Sequence, residues 1–197
     1  MIHNIPNILT IFRIVITPLI VWLLIGFDSL ALHALALVLF LIASLSDLFD
    51  GILARKLKVV SEFGKFMDPL ADKILVNSTF ITLNILDVMP IWITAVIILR
   101  DGLVTTLRWV MLANGASMNT SKIAKLKTAF QYVSMYVGLI FILFGHFEAL
   151  DSIVAWLEEW FVTETIFTLT GLVTAYTGFN YLWINRAFLK NFFTESE

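Results

Sequence analysis

The sequence predicts an all-α protein that crosses a membrane six times. Of its 197 residues, 59% are hydrophobic and 14% are charged, and the mean hydropathy is +0.91. A soluble domain of this length does not need so much apolar surface, whereas a membrane protein also has apolar side chains facing lipid. Apolar runs of about 20 residues recur, which is the length that crosses a bilayer as a helix. We expect one domain, residues 1–197, without disulfides because the chain has no cysteine.

Turn residues divide the apolar sequence into its predicted spans. Residues 26–28 end the first span, and Ser61 is a suitable N-cap for the third. Pro90 opens the fourth, and the polar residues 114–117 separate it from the fifth. The six predicted spans are Ile8–Phe27, Leu30–Lys56, Glu62–Ile85, Pro90–Ala113, Ser121–Phe144 and Thr163–Leu189. The acidic, amphipathic stretch Glu148–Trp160 is expected at the membrane surface rather than across it.

The distribution of charge predicts the orientation of these spans. If the N-terminus is cytoplasmic, the segments on that side contain all 13 Lys and Arg residues. The segments on the opposite side contain acids and no base: Asp28, Asp87, Glu148, Asp151, Glu158, Glu159 and Glu164. Cytoplasmic segments of membrane proteins carry the excess of Lys and Arg. The sequence therefore predicts that both termini, and a polar cavity formed by the second and third spans, face the cytoplasm.

Four carboxylates lie within 26 residues of this cytoplasmic boundary, in the pattern D-x2-D-G-x2-A-R-x8-G-x3-D-x3-D. Charged groups near membrane depth are costly and mark functional sites. On helices, Asp47 and Asp50 share one stripe, and Asp68 and Asp72 share another. Two adjacent helices could direct all four into one cavity. Oxygen ligands of this charge suit a hard divalent cation such as Mg²⁺, and Arg55 could hold a diphosphate.

This string of residues resembles the signature of the CDP-alcohol phosphatidyltransferases and matches it at every position. The resemblance implies a six-helix homodimeric enzyme of the bacterial inner (plasma) membrane, with a cytoplasmic site for a CDP-linked lipid and one or two Mg²⁺, or Mn²⁺ instead. It implies Asp47, Asp50 and Asp68 as metal ligands, and Asp72 as both ligand and general base. The implied cytidine diphosphate pocket consists of Asp50, Gly51, Ala54, Arg55, Ser61 and Gly64. No nucleic-acid partner is expected.

Members of this family differ in the alcohol that accepts the phosphatidyl group. The basic residues outside the motif can therefore indicate which alcohol this chain uses. Five of them lie in the fourth and fifth spans: Arg100, Arg108, Lys122, Lys125 and Lys127. They would suit a phosphorylated acceptor, because Arg and Lys bind phosphate well. Alternatively they anchor the helices to anionic head groups. For Lys122 the anchoring interpretation is favoured, and the other four residues form the predicted acceptor-phosphate site.

Four segments resemble the members of the family that form phosphatidylglycerophosphate: residues 4–13, 68–73, 100–108 and 124–128. This resemblance implies CDP-diacylglycerol as donor and sn-glycerol 3-phosphate as acceptor. Asp101 stands where many of those members carry Glu. The members that make cardiolipin share the first two segments, so phosphatidylglycerol is the alternative acceptor.

The non-enzyme alternative is a carboxylate-lined cation transporter. It predicts acids near the bilayer midplane, in interrupted helices with repeat symmetry. Here the acids lie at predicted cytoplasmic helix ends, and the sequence shows no repeat.

Two smaller groups of polar residues have less specific patterns. Asn7, Thr10 and Arg13 share a helical stripe, which either contacts the nucleotide or orients an interfacial helix; the second interpretation is favoured. The three histidines are scattered along the sequence, have no partner spacing and are expected to be neutral interface or packing residues: His3, His33 and His146.

Overall fold

The computed structural model describes residues 5–57, 62–116 and 124–194, with side chains for residues 7–46, 67–116, 126–190 and 192. The described residues form helices joined by short turns and include no strand, which confirms the all-α prediction. The helices are α1 Ile5–Gly26, α2 Leu30–Leu57, α3 Glu62–Ile85, α4 Ile91–Ala113, α5 Ala124–Phe144, α6 Asp151–Glu159, α7 Val162–Ile184 and α8 Arg186–Thr194. A short 3₁₀ turn, Glu148–Leu150, precedes α6.

Most helix boundaries follow the turn signals in the sequence, but the last predicted span is divided. The predicted helix Thr163–Leu189 is interrupted at Asn185, which has φ −98° and ψ 13° and separates α7 from α8. The buried Asn185 side chain donates to the Tyr181 carbonyl at 2.8 Å. An Asn side chain that bonds to nearby backbone competes with regular helix geometry. The prediction of one continuous helix here was therefore wrong.

The chain divides into two compact units, and unit 1 comprises Met1–Met89 and Met135–Trp160. In unit 1, α1 packs against both α2 and α3. The buried face of α1 repeats every three or four residues, as an amphipathic helix requires: Thr10, Arg13, Thr17, Ile20 and Leu24. The polar stripe that includes Thr10 and Arg13 is thus part of this packed face, rather than the surface of an interfacial helix.

Two histidines of unit 1 contact each other, which their spacing in the sequence did not predict. His33 Nδ1 lies 2.8 Å from His146 Nε2, although the two residues are 113 positions apart in the sequence. Their ring centroids are 4.9 Å apart. His3 lies outside the described residues. Sequence spacing could not reveal this pair, because it depends on packing between remote helices.

Unit 2 comprises Pro90–Ser134 and Phe161–Glu197, and in it α4 packs against α7. The buried face of α7 is made largely of small residues: Thr163, Thr170, Gly171, Thr174, Thr177 and Gly178. Small side chains allow two helix backbones to approach closely, as is common in membrane helices. The Ser134 hydroxyl of α5 also hydrogen bonds to the Thr170 hydroxyl of α7.

Two helical segments of the described chain are long and apolar enough to cross a membrane: Asn7–Gly26 and Leu126–Phe144. A shorter apolar segment, Leu30–Ser46, forms part of α2. Large apolar side chains are also exposed, including Val15 at 68% and both Ile91 and Leu99 at 71%. Exposed apolar surface of this kind suits contact with lipid. The six-span topology stays a prediction.

Candidate active site

The predicted aspartate motif lies on the C-terminal part of α2 and the N-terminal part of α3. The α2 backbone is helical through Leu57, so this helix carries five of the predicted residues: Asp47, Asp50, Gly51, Ala54 and Arg55. Gly64 lies near the start of α3. The side chains of these residues are outside the described set, and Ser61 lies in a segment that is not described.

The two remaining motif aspartates, Asp68 and Asp72, lie one helical turn apart on α3. Residues at this spacing share one face of a helix. Both side chains are half-buried. They therefore form a pair of carboxylates on one side of α3, and carboxylate oxygens are the ligands that Mg²⁺ and other hard cations prefer.

Asp68 accepts a hydrogen bond from the hydroxyl of Thr10, which comes from α1. Thr10 is completely buried, so this contact is inside the packed face of α1. A hydroxyl on one carboxylate oxygen restricts the rotation of the aspartate, and outer hydrogen bonds of this kind orient metal-binding carboxylates. Sequence reasoning did not identify Thr10 as a partner of Asp68. The spacing of Thr10 and Arg13 indicated that they share one face of a helix, but it did not indicate which helix that face contacts.

Unit 2 contains a cluster of charge around Asp101, which is 6% exposed. Lys127 Nζ donates to both Asp101 carboxylate oxygens, at 2.7 and 2.8 Å. Arg100 Nη1 donates to Asp101 Oδ1 at 3.0 Å. The two cations, Arg100 and Lys127, and the one anion, Asp101, give this largely buried cluster a net charge of +1. The buried Arg100 Nε has no hydrogen-bond partner within the described part of the chain.

Gly178 of α7 makes room for Arg100 in this cluster. A Cβ atom at position 178 would lie 2.8 Å from Arg100 Cγ, which is closer than two carbon atoms can approach without a shift. Because Cγ is near the backbone, moving it displaces the whole guanidinium end of the side chain. The close approach of α4 and α7 therefore depends on glycine here.

The structure brings together two of the four predicted acceptor-site residues, Arg100 and Lys127. Arg108 lies eight residues beyond Arg100 on α4 and is exposed. Lys125 is on α5, but its side chain is not among those described, and Lys122 lies outside the described residues. Sequence reasoning also missed the role of Asp101, which contacts both cations. The signal available was its position directly after Arg100, on a helix that is otherwise mostly apolar.

Comparison with known proteins agrees with the motif. The model of the CDP-alcohol phosphatidyltransferase family matches residues 3–176. A Bacillus subtilis (strain 168) protein named CDP-diacylglycerol–glycerol-3-phosphate 3-phosphatidyltransferase is 37% identical over 148 residues, covering 70% of this chain and 77% of that protein. A Rickettsia typhi protein of the same name is 37% identical over 178 residues, covering 90% of this chain and 94% of that protein. With most of its length matched in this way, the chain belongs to the CDP-alcohol phosphatidyltransferase family.

Proposed function

We propose that this chain transfers the phosphatidyl group of CDP-diacylglycerol to sn-glycerol 3-phosphate, with phosphatidylglycerophosphate and CMP as products. The observation that carries the proposal is the complete aspartate motif, inside a family match that extends over residues 3–176. The relatives named for this reaction support glycerol 3-phosphate as the acceptor. The charge cluster of Arg100 and Lys127 supports an acceptor that carries phosphate.

The carboxylates of the motif suit one or two divalent cations. Asp68 and Asp72 offer oxygen ligands one turn apart on α3, and Asp47 and Asp50 would complete the set from α2. Mg²⁺, or Mn²⁺ in its place, would neutralise charge on the diphosphate of the donor. Thr10 holds Asp68 through its hydroxyl. The donor pocket that we propose contains Asp50, Gly51, Ala54, Arg55, Ser61 and Gly64.

Asp72 is proposed to accept the proton of the acceptor hydroxyl. The oxygen of that hydroxyl forms a bond to the β-phosphorus of CDP-diacylglycerol as the bond from this phosphorus to the bridging oxygen breaks. CMP leaves with the electron pair of that bond, and the proton stays on the Asp72 carboxyl group until solvent removes it. Arg55 would bind the diphosphate oxygens and favour charge development on the leaving group.

The acceptor phosphate is proposed to bind at Arg100, Arg108, Lys125 and Lys127. Arg100 supports this role because its buried Nε–H is an unused donor among the described residues. Asp101 positions the two cations it contacts and prevents them from separating. A buried pair of cations would otherwise repel one another in the absence of substrate.

The function is tested by CMP release from CDP-diacylglycerol, using the purified full chain with Mg²⁺. Glycerol 3-phosphate, phosphatidylglycerol, serine and inositol are offered one at a time, and the lipid product is identified by its mass. We expect CMP and phosphatidylglycerophosphate with glycerol 3-phosphate alone. Release only with phosphatidylglycerol would instead make the chain a cardiolipin synthase. Release with none of the four would refute the proposed acceptor.

We also propose a homodimer of one-domain chains, each with six spans and with both termini and the active site on the cytoplasmic side of the bacterial inner membrane. The absence of cysteine allows a direct test, because any introduced thiol is unique. Gly145→Cys should react with a membrane-impermeant maleimide in intact cells, whereas Lys190→Cys should react only after lysis. The opposite pattern would overturn the orientation. Sedimentation in detergent measures whether the particle contains two chains.

A further inference from the structure

A second group of potential metal ligands lies in unit 1, away from the motif in sequence. Asp28 follows α1, His33 lies in the first turn of α2, and His146 follows α5. One ligand atom from each of these side chains lies within 4.8 Å of the other two. His33 is 6% exposed, the His146 side chain is 18% exposed and the Asp28 side chain is 97% exposed. The group thus has a buried side and an open side.

The hydrogen bonds of His33 fix its tautomer. His33 Nε2 lies 2.7 Å from the Phe27 carbonyl oxygen, which can only accept a hydrogen bond. Nε2–H therefore donates to this carbonyl, and Nδ1 faces His146, which it can bind through its lone pair when the ring is neutral. In metal-binding histidines, the nitrogen that does not bind the metal typically donates to a carbonyl or carboxylate in this way. His33 therefore has the ring orientation of a metal ligand that binds through Nδ1.

Side-chain movements would bring the group to the distances that a tetrahedral ion requires. Zinc bonds to nitrogen are about 2.0–2.1 Å long, which places two tetrahedral ligand nitrogens about 3.3 Å apart. His33 Nδ1 and His146 Nε2 are 2.8 Å apart and face each other, so they need to separate by about 0.5 Å and their rings must turn until both lone pairs point at the ion. Asp28 Oδ1 is 3.8 Å from His146 Nε2, and the three ligand atoms lie within 4.8 Å of one another. The aspartate must therefore approach His146 by about 0.5 Å and His33 by up to about 1.5 Å. Because Asp28 is exposed, its side chain is free to make this movement.

We propose that Asp28, His33 and His146 form a binding site for a divalent transition metal ion of the Zn²⁺ class. Two imidazole nitrogens and one carboxylate oxygen favour such an ion over Mg²⁺, which prefers oxygen ligands. Water would occupy the fourth position on the open side. Binding requires His146 to move its proton from Nε2 to Nδ1, since Nε2–H donates to His33 when no ion is bound. The site ties the end of α1 and the start of α2 to the end of α5.

The test is Zn²⁺ binding to the purified full chain, measured by competition with a chromophoric chelator. Excess Mg²⁺ is present to occupy the carboxylates of the active site. We expect one Zn²⁺ per chain. His146→Gln and Asp28→Asn should each weaken binding at least about tenfold, because even the loss of an outer partner costs roughly 10–100-fold in metal affinity. His3→Gln is the matched control and should bind as the unmodified chain does.

Two further measurements make the result decisive. Co²⁺ in place of Zn²⁺ should give the visible absorption bands of a tetrahedral site with nitrogen ligands, and these bands should disappear in His146→Gln. The thermal midpoint of each variant without metal shows whether the variant is folded. Zn²⁺ binding that persists in His146→Gln but is lost in Asp68→Asn would assign the ion to the α3 carboxylates and overturn the proposal. Equal affinity in His146→Gln and the unmodified chain would overturn it as well, leaving a hydrogen-bonded histidine pair only.

Discussion

Thr10 donates a hydrogen bond to Asp68, 58 residues further along the chain. The bond joins α1 to the helix that carries two of the four motif aspartates. Since Thr10 is completely buried, bulk water cannot take over its role if the hydroxyl is removed. Without this hydroxyl, the packed interior of unit 1 would no longer fix the position of the Asp68 carboxylate.

Replacing Thr10 by Val should therefore impair the active site while preserving the shape of the side chain. A hydrogen bond to a charged group contributes about 1.5–3 kcal/mol. If this contribution is expressed in the transition state, kcat/KM falls roughly 10–100-fold. CMP release measured over a range of Mg²⁺ concentrations should also show that more Mg²⁺ is needed for half-maximal rate. Thr10→Ser keeps the hydroxyl and should recover most of the activity.

Thr79→Val is the matched control for this substitution. Thr79 lies on α3 and is 1% exposed, and the bond that its hydroxyl makes within the described part of the chain goes to the Leu75 carbonyl of its own helix, at 2.8 Å. Its replacement should leave the Mg²⁺ dependence unchanged. If Thr79→Val and Thr10→Val have the same effect, the loss of activity reflects general destabilisation and not the orientation of Asp68.

Asp72→Asn should separate catalysis from donor binding. The asparagine amide has nearly the same shape as the carboxylate but cannot take the proton from the hydroxyl of the acceptor alcohol. A positioned base contributes about 10²–10⁴-fold in rate. We expect kcat to fall by that range while CDP-diacylglycerol still binds in an equilibrium assay. Full turnover by this variant would show that Asp72 is not the base. If the variant loses both CDP-diacylglycerol binding and turnover, Asp72 acts chiefly as a metal ligand.

The helices of this chain follow from local signals, whereas the contacts between them do not. Ser61 and Pro90 bracket a span predicted as Glu62–Ile85, and α3 has these bounds. The break at Asn185 was missed because neither Gly nor Pro marks it. The contact of Thr10 with Asp68 was not predictable, because the helical period shows which residues share a face but not which helix that face meets.

The charged residues of α4 show the same limit. Sequence reasoning placed Arg100 and Lys127 in one phosphate site on the basis of charge and resemblance. It did not predict that Asp101 contacts both of them, because Lys127 lies 26 residues further along the chain. The pairing depends on how the part of α5 up to Ser134 packs within unit 2, which spacing alone does not determine.

Lys127→Met should weaken acceptor binding more than donor binding. Methionine keeps most of the length of the side chain and removes the charge that would contact the acceptor phosphate. We expect the KM for glycerol 3-phosphate to rise at least about tenfold, as for the loss of one charge-assisted hydrogen bond. The KM for CDP-diacylglycerol should stay the same. Lys190→Met, at an exposed position on α8, is the control and should change neither value.

Asp101 is expected to position the cations rather than to contact substrate. Asp101→Asn removes the charge that holds Arg100 and Lys127 together, so the KM for glycerol 3-phosphate should rise and the thermal midpoint should fall. Asp101→Glu keeps the charge and should recover both quantities in large part. A variant Asp101→Asn with an unchanged midpoint and a lower KM would mean that the carboxylate competes with the acceptor for these cations.

Gly178→Ala tests whether the position of Arg100 matters for the acceptor. The added Cβ would lie 2.8 Å from Arg100 Cγ, so the arginine must move. Overpacking of this kind costs about 1–3 kcal/mol, which lowers the thermal midpoint by about 2–4 °C per kcal/mol for a chain of this size. Gly102→Ala is the matched control, because a Cβ at position 102 meets no described atom within 4 Å apart from its chain neighbours and the adjacent backbone of its own helix. Alanine is more favourable than glycine in a helix by about 0.5–1 kcal/mol, so Gly102→Ala should be neutral or slightly stabilising.

If Arg100 binds the acceptor phosphate, Gly178→Ala should also raise the KM for glycerol 3-phosphate. A lowered thermal midpoint with an unchanged KM would show that Arg100 is not part of the acceptor site.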